Sequence, residues 1–302
     1  MSTASVPPSQ LSPNGAKRVD LPGRYGPIAA LRGAPSPTPG IAVENAPIAL
    51  LVPGFTGSKE DFAPLLDPIA EHGIEPIAID LPGQYESAGP DDEDAHLPEP
   101  LGEVVAELIG DLSDNGRQVL LLGHSYGGLV ARGAVLAGAE ITGLTLMDTG
   151  PGELPPGRRR GVIDIGDPLL REQGVAAAQV LREQMDAADP GWADKSAELR
   201  EFLRTRFLRT SAASLLGMGE GLRREPDRVA KLARALRMRD APCLVVCGAS
   251  DDAWPVAIQR DMAERLDADF AVVPDAAHSP NTENPDDLVA TLLATWHAWL
   301  NG

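Results

Sequence analysis

The 302 residues are enough for one large domain or for a domain with an insertion, and the 43% of hydrophobic residues can fill a sizeable core. The net charge of −18 argues against a nucleic-acid partner and against an anionic membrane surface. Two cysteines exclude a disulfide framework and no apolar stretch reaches the ~20 residues of a membrane span, so we expect a soluble cytoplasmic protein with a small-molecule substrate.

A Ser- and Pro-rich segment precedes a long alternation of strand and helix patterns. Residues 1–16 predict a flexible tail, and residues 17–31 favour two antiparallel strands around a turn. Short apolar runs typical of buried strands then alternate with helix patterns. The further predicted strands are 47–52, 74–80, 118–122, 141–147, 243–247 and 269–273, and the helices between them are 61–70, 101–112, 128–137, 255–266 and 285–300.

Residues 151–240 differ from the rest of the chain. They lack strand patterns and contain 17 Lys and Arg against 14 Asp and Glu, whereas the remainder has 9 against 30. A shift of this kind between two strand–helix segments marks an insertion. The predicted helices of the insertion are 168–186, 196–216 and 225–238, with a break at Gly217–Gly221.

These patterns together predict an α/β fold with a doubly wound, mostly parallel sheet. Its core comprises residues 17–150 and 241–302, and residues 151–240 form an inserted helical cap.

The pentapeptide Gly123–Gly127 carries the strongest chemical signal. It matches G-x-S-x-G, which holds a nucleophilic serine on a sharp turn between a strand and a helix. The context fits, because a buried strand precedes Ser125 and a buried helix follows it. The alternative is a glycine-rich turn whose serine only caps the helix.

A serine nucleophile needs a base and an orienting acid, and both belong on loops at the carboxyl ends of strands. His278 follows the last predicted strand and is the candidate base. Asp251 follows the strand that ends at Cys247 and is the candidate acid, with Asp148 and Asp252 as alternatives. The order Ser125, Asp251, His278 is the nucleophile–acid–histidine order expected with this turn.

Four motifs in this order resemble the α/β-hydrolase superfamily, from about residue 19 to residue 302. They are the loop Pro53–Gly57, the turn Gly123–Gly127, the loop Gly248–Pro255 and the loop Ala277–Pro280. The resemblance implies the fold, the Ser–Asp–His triad and a lid at the position of the insertion. It also implies that the backbone N–H groups of Phe55 and Tyr126 stabilise an oxyanion, although Phe55 has the alternative of a pocket wall.

We therefore expect a serine hydrolase that cleaves an ester or a related acyl compound, with no metal and no organic cofactor. Other chemistry on the same triad, such as C–C hydrolysis, a lyase reaction or cofactor-free perhydrolysis, is the first alternative. A non-catalytic binding protein is the second. The sequence does not indicate an oligomeric state.

The insertion offers candidate substrate contacts. Leu216 and Met218, together with Leu215, are candidate pocket walls, and the alternative for each is packing within the cap. The surplus of Arg in the insertion has three explanations: an anionic substrate, ion pairs with the acidic core, or a solvated helical surface.

Overall fold

The computed structural model describes residues 7–302 except residues 41, 115 and 189. The described strands belong to a single sheet. They are β1 (Lys17–Leu21), β2 (Ile28–Arg32), β3 (Ile48–Val52), β4 (Glu75–Ile79), β5 (Val119–His124), β6 (Gly143–Met147), β7 (Cys243–Gly248) and β8 (Asp269–Val273).

The helices cover the sheet and fill the insertion between β6 and β7. They are α1 (Ala63–Glu71), α2 (Pro98–Leu112), α3 (Tyr126–Leu136), α4 (Arg158–Asp186), α5 (Ala197–Arg209), α6 (Ala212–Arg224), α7 (Val229–Arg239), α8 (Val256–Leu266), α9 (Pro280–Glu283) and α10 (Pro285–Asn301). Short 3₁₀ turns lie at Val43–Asn45, Lys59–Phe62, Glu93–His96 and Pro190–Trp192. Within the described ranges, no helix is long and apolar enough to cross a membrane.

The sheet has the strand order β1-β2-β4-β3-β5-β6-β7-β8. Strands β3 to β8 run parallel to one another. At one edge of the sheet, β2 pairs antiparallel with β4, and β1 pairs antiparallel with β2. Strand β3 is buried along its whole length, as a continuous apolar run on a sheet covered on both faces should be. Helices α2, α3, α7 and α8 pack on one face, and α1 and α10 pack on the other. The predicted doubly wound fold is confirmed.

Part of the predicted flexible tail is in contact with the core. Gln10 Nε2 donates to Asp61 Oδ1 at 3.2 Å, and the Gly15 N–H donates to Asp67 Oδ1 at 2.8 Å. Two carboxylates, one in the 3₁₀ turn before α1 and one within α1, thus hold polar groups of residues 7–16. Residues 1–6 lie outside the described residues.

Helices α4 to α6 form the inserted cap. Helix α7, predicted as part of the cap, packs instead against α3 and α8 on the sheet, because its buried face is continuous with the main core. Helix α4 begins ten residues earlier than predicted and is interrupted at Gly174, where φ is +80°. The expected break at Gly217–Gly221 is wrong, since these residues lie inside α6. Their glycines serve packing instead. A Cβ on Gly217 would lie 2.1 Å from the Glu93 carbonyl oxygen, and one on Gly221 would lie 2.6 Å from Tyr126 Oη.

We predict opposite effects for two alanine substitutions in the cap helices. Gly217→Ala should lower the free energy of unfolding by about 1–3 kcal/mol, because the new methyl group meets backbone that cannot retreat. Gly161→Ala in α4 is the matched control, since nothing lies within 4 Å of its Cβ position, and it should stabilise by about 0.5–1 kcal/mol. Denaturant unfolding measures both, and equal effects would contradict the assigned contact.

Candidate active site

The turn after β5 places Ser125 at the carboxyl edge of the sheet. Ser125 has φ +56° and ψ −121°, in a region that side chains other than glycine rarely adopt. Its neighbours must be glycine. A Cβ on Gly123 would lie 2.2 Å from the Gly127 carbonyl oxygen, and one on Gly127 would lie 2.3 Å from the Val52 carbonyl oxygen. The chain therefore folds sharply from β5 into α3 with the serine at the bend.

Three side chains from separate loops meet in one chain of hydrogen bonds. His278 Nε2 lies 2.9 Å from Ser125 Oγ, and His278 Nδ1 lies 2.8 Å from Asp251 Oδ1. All three residues are buried. An imidazole bridging a hydroxyl and a carboxylate can accept the hydroxyl proton while the carboxylate fixes its tautomer. The structure thus brings together the three residues that the sequence selected.

Further donors hold the acid in place. Asp251 Oδ1 also accepts the Ala253 N–H at 2.8 Å, and Asp251 Oδ2 accepts Gln259 Nε2 at 2.7 Å. Gln259 is fully buried in α8 and also donates to the Trp254 carbonyl oxygen at 2.7 Å. Sequence reasoning missed Gln259. A polar residue on the buried face of the helix that follows the acid loop was the available signal.

The two alternative acids, Asp252 and Asp148, have hydrogen-bond and ion-pair partners other than His278. The Asp252 carboxylate pairs with Arg159 of the cap at 2.6 Å, and Arg159 lowers the pKa of Asp252 against the effect of partial burial. Asp252 does not cap α8, which begins without a side-chain cap. Asp148 lies fully buried beside Asp251, and its Oδ1 accepts the Gly248 N–H at 2.9 Å.

His124 supports the loop that carries the base. Its Nε2 lies 2.7 Å from the His278 carbonyl oxygen, and the centroids of the two rings are 5.2 Å apart. Burial lowers the pKa of His124 to about 4, with a smaller contribution from His278. A neutral His124 donates this hydrogen bond through Nε2–H.

The loop after β3 lies against the nucleophile. A Cβ on Gly54 would lie 3.0 Å from Ser125 Cβ and 3.4 Å from Ser125 Oγ, so the backbone passes close to the reactive oxygen. Gln84 Nε2 donates to the Gly54 carbonyl oxygen at 2.8 Å and fixes the orientation of this peptide. Sequence reasoning missed Gln84, although it lies in the turn at the carboxyl end of β4.

The two predicted oxyanion donors flank Ser125. Phe55 follows Gly54, and Tyr126 is the first residue of α3. Neither N–H has an acceptor among the described residues. Free N–H groups at a helix start and in an adjacent loop are suited to a developing negative charge. The Tyr126 hydroxyl is used elsewhere, since it donates to the His96 carbonyl oxygen at 2.7 Å.

A cavity of about 470 Å³ connects Ser125 and His278 to the cap. Its apolar walls come from several cap helices, with Leu170, Phe207, Leu215 and Leu222 among them.

Leu216 and Met218, predicted as pocket walls, do not line this cavity. Leu216 packs with Leu170, Phe207 and Leu215 inside the cap. Met218 belongs to the main core, where its Sδ lies 3.8 Å from Gln84 Nε2. A helix turns by about 100° per residue, so Leu215 and Leu222 share one face and their neighbours point elsewhere.

Buried charges join the cap to the core beside the cavity. Arg206 Nη1 donates to Asp61 Oδ1 at 2.6 Å, and Asp61 Oδ2 accepts the Ser58 N–H at 3.1 Å. Burial and the neighbouring Arg206 lower the pKa of Arg182 to about 10. Ion pairing with the acidic core accounts for much of the Arg surplus in the cap. The pairs are Arg159–Asp252, Arg171–Glu93, Arg206–Asp61, Arg209–Glu86 and Arg228–Glu99.

One group of potential metal ligands overlaps the site. Among the described residues, ligand atoms of Asp148, Asp251 and His278 lie within 4.8 Å of one another. The contact between His278 and Asp251 is the hydrogen bond already described, so this group is part of the same proton-carrying arrangement.

Comparison with known proteins agrees with this architecture. The sequence profile of the Alpha/beta hydrolase family matches residues 49–291. A Bacillus subtilis (strain 168) protein, provisionally named 2-succinyl-6-hydroxy-2,4-cyclohexadiene-1-carboxylate synthase, is 26% identical over 247 residues, which are 77% of this chain and 84% of that protein.

Solved structures with different activities share the fold. A thermophilic esterase from Thermogutta terrifontis, with malate bound, has a TM-score of 0.68 at 22% identity, over 95% of this chain and 99% of its own. A bromoperoxidase from Bacillus anthracis has a TM-score of 0.70 at 16% identity, over 95% of this chain and 100% of its own. Similarity at these identities shows the fold and leaves the substrate open. Because the family profile spans most of the sheet and the whole cap, the chain belongs to the α/β-hydrolase family.

Proposed function

We propose that this protein is a serine hydrolase that cleaves a carboxylic ester or a related acyl compound through an acyl-enzyme intermediate. The observation that carries the proposal is the hydrogen-bonded chain from Asp251 through His278 to Ser125. In this arrangement Asp251 is the acid, His278 the base and Ser125 the nucleophile.

In the proposed reaction each proton transfer takes place at one atom. Ser125 Oγ attacks the acyl carbon while His278 Nε2 accepts the hydroxyl proton, and the carbonyl π electrons move to the oxygen. His278 then returns the proton to the leaving alcohol as the C–O bond breaks. In the second half of the reaction, His278 Nε2 accepts a proton from a water molecule as the water oxygen attacks the acyl carbon. His278 then returns this proton to Ser125 Oγ as the bond between the acyl carbon and Oγ breaks, which releases the acid and restores Ser125.

The oxyanion of each tetrahedral intermediate would be held by the N–H groups of Phe55 and Tyr126. Their lack of an acceptor in the described residues supports this role. The position of Tyr126 at the first turn of α3 adds the favourable end of the helix dipole. Loss of one such donor typically costs about 10²–10³-fold in kcat.

The cavity supports a small substrate with an apolar acyl or alcohol group. Its volume of about 470 Å³ lies in the range of small-molecule sites, and cap leucines and Phe207 form apolar walls. The cap residues 151–240 would therefore set selectivity and shield the intermediate from water.

A screen decides between ester hydrolysis and other reactions on the same three residues. The wild-type protein would be assayed with p-nitrophenyl esters of increasing acyl length, and in parallel for peroxide-dependent oxidation. We expect ester turnover with a maximum at short or medium acyl length. Turnover only with peroxide would favour a perhydrolase, and activity with neither would favour a C–C hydrolase or a lyase.

We predict that Ser125→Ala abolishes both ester turnover and covalent labelling by a fluorophosphonate. Loss of the nucleophile of a triad typically costs about 10⁴–10⁶-fold in rate. The melting temperature of the variant reports whether the fold is intact. Labelling that persists in a folded Ser125→Ala variant would move the nucleophile to another residue.

Two neighbouring aspartates provide a test of the acid. Asp251→Asn should lower kcat by up to about 10⁴-fold, because the amide no longer favours the required tautomer of His278. Asp252→Asn is the matched control, since Asp252 lies in the same loop but pairs with Arg159 and not with His278, and the substitution should change kcat by less than about threefold. Comparable losses in the two variants would overturn the assignment of Asp251.

Leu215 and Leu216 provide a matched test of the cavity wall. Leu215→Ala should raise kcat/KM for longer or bulkier acyl groups relative to acetyl by roughly tenfold, because the cavity widens. Leu216→Ala should lower stability by about 2–5 kcal/mol, as for other buried leucines, without changing this ratio. An unchanged ratio in Leu215→Ala would place the acyl group elsewhere.

A further inference from the structure

Asp148 is a buried carboxyl group that the proposed reaction does not use. It follows β6 directly, is 0% exposed, and has φ +46°. Such a conformation is strained for a residue other than glycine, and the strain persists only where surrounding structure fixes it. This strain and burial single out Asp148 from the other carboxyl groups near the sheet edge.

One oxygen of Asp148 has a donor and the other has none. Oδ1 accepts the Gly248 N–H at 2.9 Å, whereas Oδ2 is buried and has no donor among the described residues. Ligand atoms of Asp148, Asp251 and His278 lie within 4.8 Å of one another, so the two carboxyl groups are buried side by side. Two neighbouring carboxylates repel each other in a buried site, and a proton on one of them removes this repulsion and allows it to donate a hydrogen bond to the other.

The donors around Asp251 indicate which of the two carboxyl groups carries the proton. Asp251 Oδ1 accepts from His278 and from the Ala253 N–H, and Asp251 Oδ2 accepts from Gln259. A carboxylate has about four acceptor sites, so three are filled and one remains on Oδ2. A protonated Asp148 fits this remaining site, whereas a proton on Asp251 would remove the negative charge that strengthens the three hydrogen bonds it accepts.

The charges that face Asp148 favour its neutral form. Asp251 and His278 lie on the neighbouring loops, Cys247 is the second-last residue of β7, and Glu283 lies on α9. Among these groups only His278 can become positive. Burial, the charge on Asp251 and the more distant Glu283 raise the pKa of Asp148 well above its ordinary value, against the smaller opposing effect of the Gly248 N–H.

We propose that Asp148 is a positioning residue that is protonated at neutral pH and donates a hydrogen bond to Asp251 Oδ2. The proposal rests on the proposed function, because it assumes that Asp251 orients His278. As the fourth donor, Asp148 fills the remaining acceptor site of Asp251 and fixes the plane of its carboxylate. It also withdraws charge from Asp251, so the imidazolium formed during catalysis is held less tightly and releases its proton more readily.

Substitution by Asn and by Ala separates this role from an ionised one. In Asp148→Asn the amide oxygen can accept the Gly248 N–H and the amide N–H can donate to Asp251, so the variant imitates a protonated carboxyl group. Asp148→Ala removes both contacts. We expect kcat/KM and the rate of fluorophosphonate labelling to fall about tenfold in Asp148→Ala and less than threefold in Asp148→Asn. Equal losses in the two variants would overturn the proposal.

The acid limb of the pH profile of kcat/KM should move in a direction that depends on the charge of Asp148. A purely structural role would not produce this shift. If Asp148 is a neutral donor, its removal strengthens the charge on Asp251 and moves the acid limb of the Asp148→Ala profile to higher pH. If Asp148 is ionised in the wild-type protein, its removal takes away a negative charge and moves that limb to lower pH. The second result, or an unmoved limb, would contradict the proposal.

Infrared difference spectroscopy tests the proton without any reaction. The wild-type minus Asp148→Asn spectrum at pH 7 should contain the C=O stretching band of a protonated carboxylic acid, shifted in D₂O. Carboxylate bands in place of it would overturn the proposal even if Asp148→Ala failed to fold. Wild-type protein that is not labelled by a fluorophosphonate would contradict the proposed function instead, and the infrared result would stand independently.

Discussion

The bend at Ser125 is the constraint on which the site depends. Its φ of +56° would cost roughly 1–3 kcal/mol in isolation, and it persists because β5, α3 and the loop after β3 leave the backbone no other path. The glycines on either side allow three segments of main chain to touch. The same contacts that force the strain also bring the loop of Gly54 and the start of α3 to the serine oxygen.

The polar groups around this bend come from elements that are distant in sequence. Gln259 connects the acid loop to α8 through both of its amide protons, and His124 holds the backbone of the base loop. Gln84 orients the Gly54 peptide from the turn after β4. Each of these residues is buried, so each hydrogen bond is protected from competing water, and the loss of one partner would leave the other unsatisfied. The positions of Ser125, His278 and Asp251 are therefore fixed by buried side chains other than their own.

The sequence was sufficient for the sheet, the order of its parallel strands along the chain and the three side chains that form one chain of hydrogen bonds. These features follow from local apolar patterns and from the rule that loops at carboxyl strand ends meet. It was insufficient where tertiary contact decides. Gly217–Gly221 has a composition typical of a helix break, but contact with Glu93 and Tyr126 favours small residues within a helix. Leu216 faces the cap interior because of a helix rotation that the apolar pattern alone could not fix.

The glycines of α6 also fix one wall of the cavity. Because Gly217 and Gly221 bring α6 into close contact with the 3₁₀ turn at Glu93–His96 and with the Tyr126 side chain, this helix is anchored to α3, which begins next to Ser125. Moving α6 would break close packing in the core. Leu215 and Leu222 lie on this anchored helix and line the cavity, so the glycines set the width of the cavity at these two side chains. A molecule that is too wide to fit against them would not be accommodated by a shift of α6.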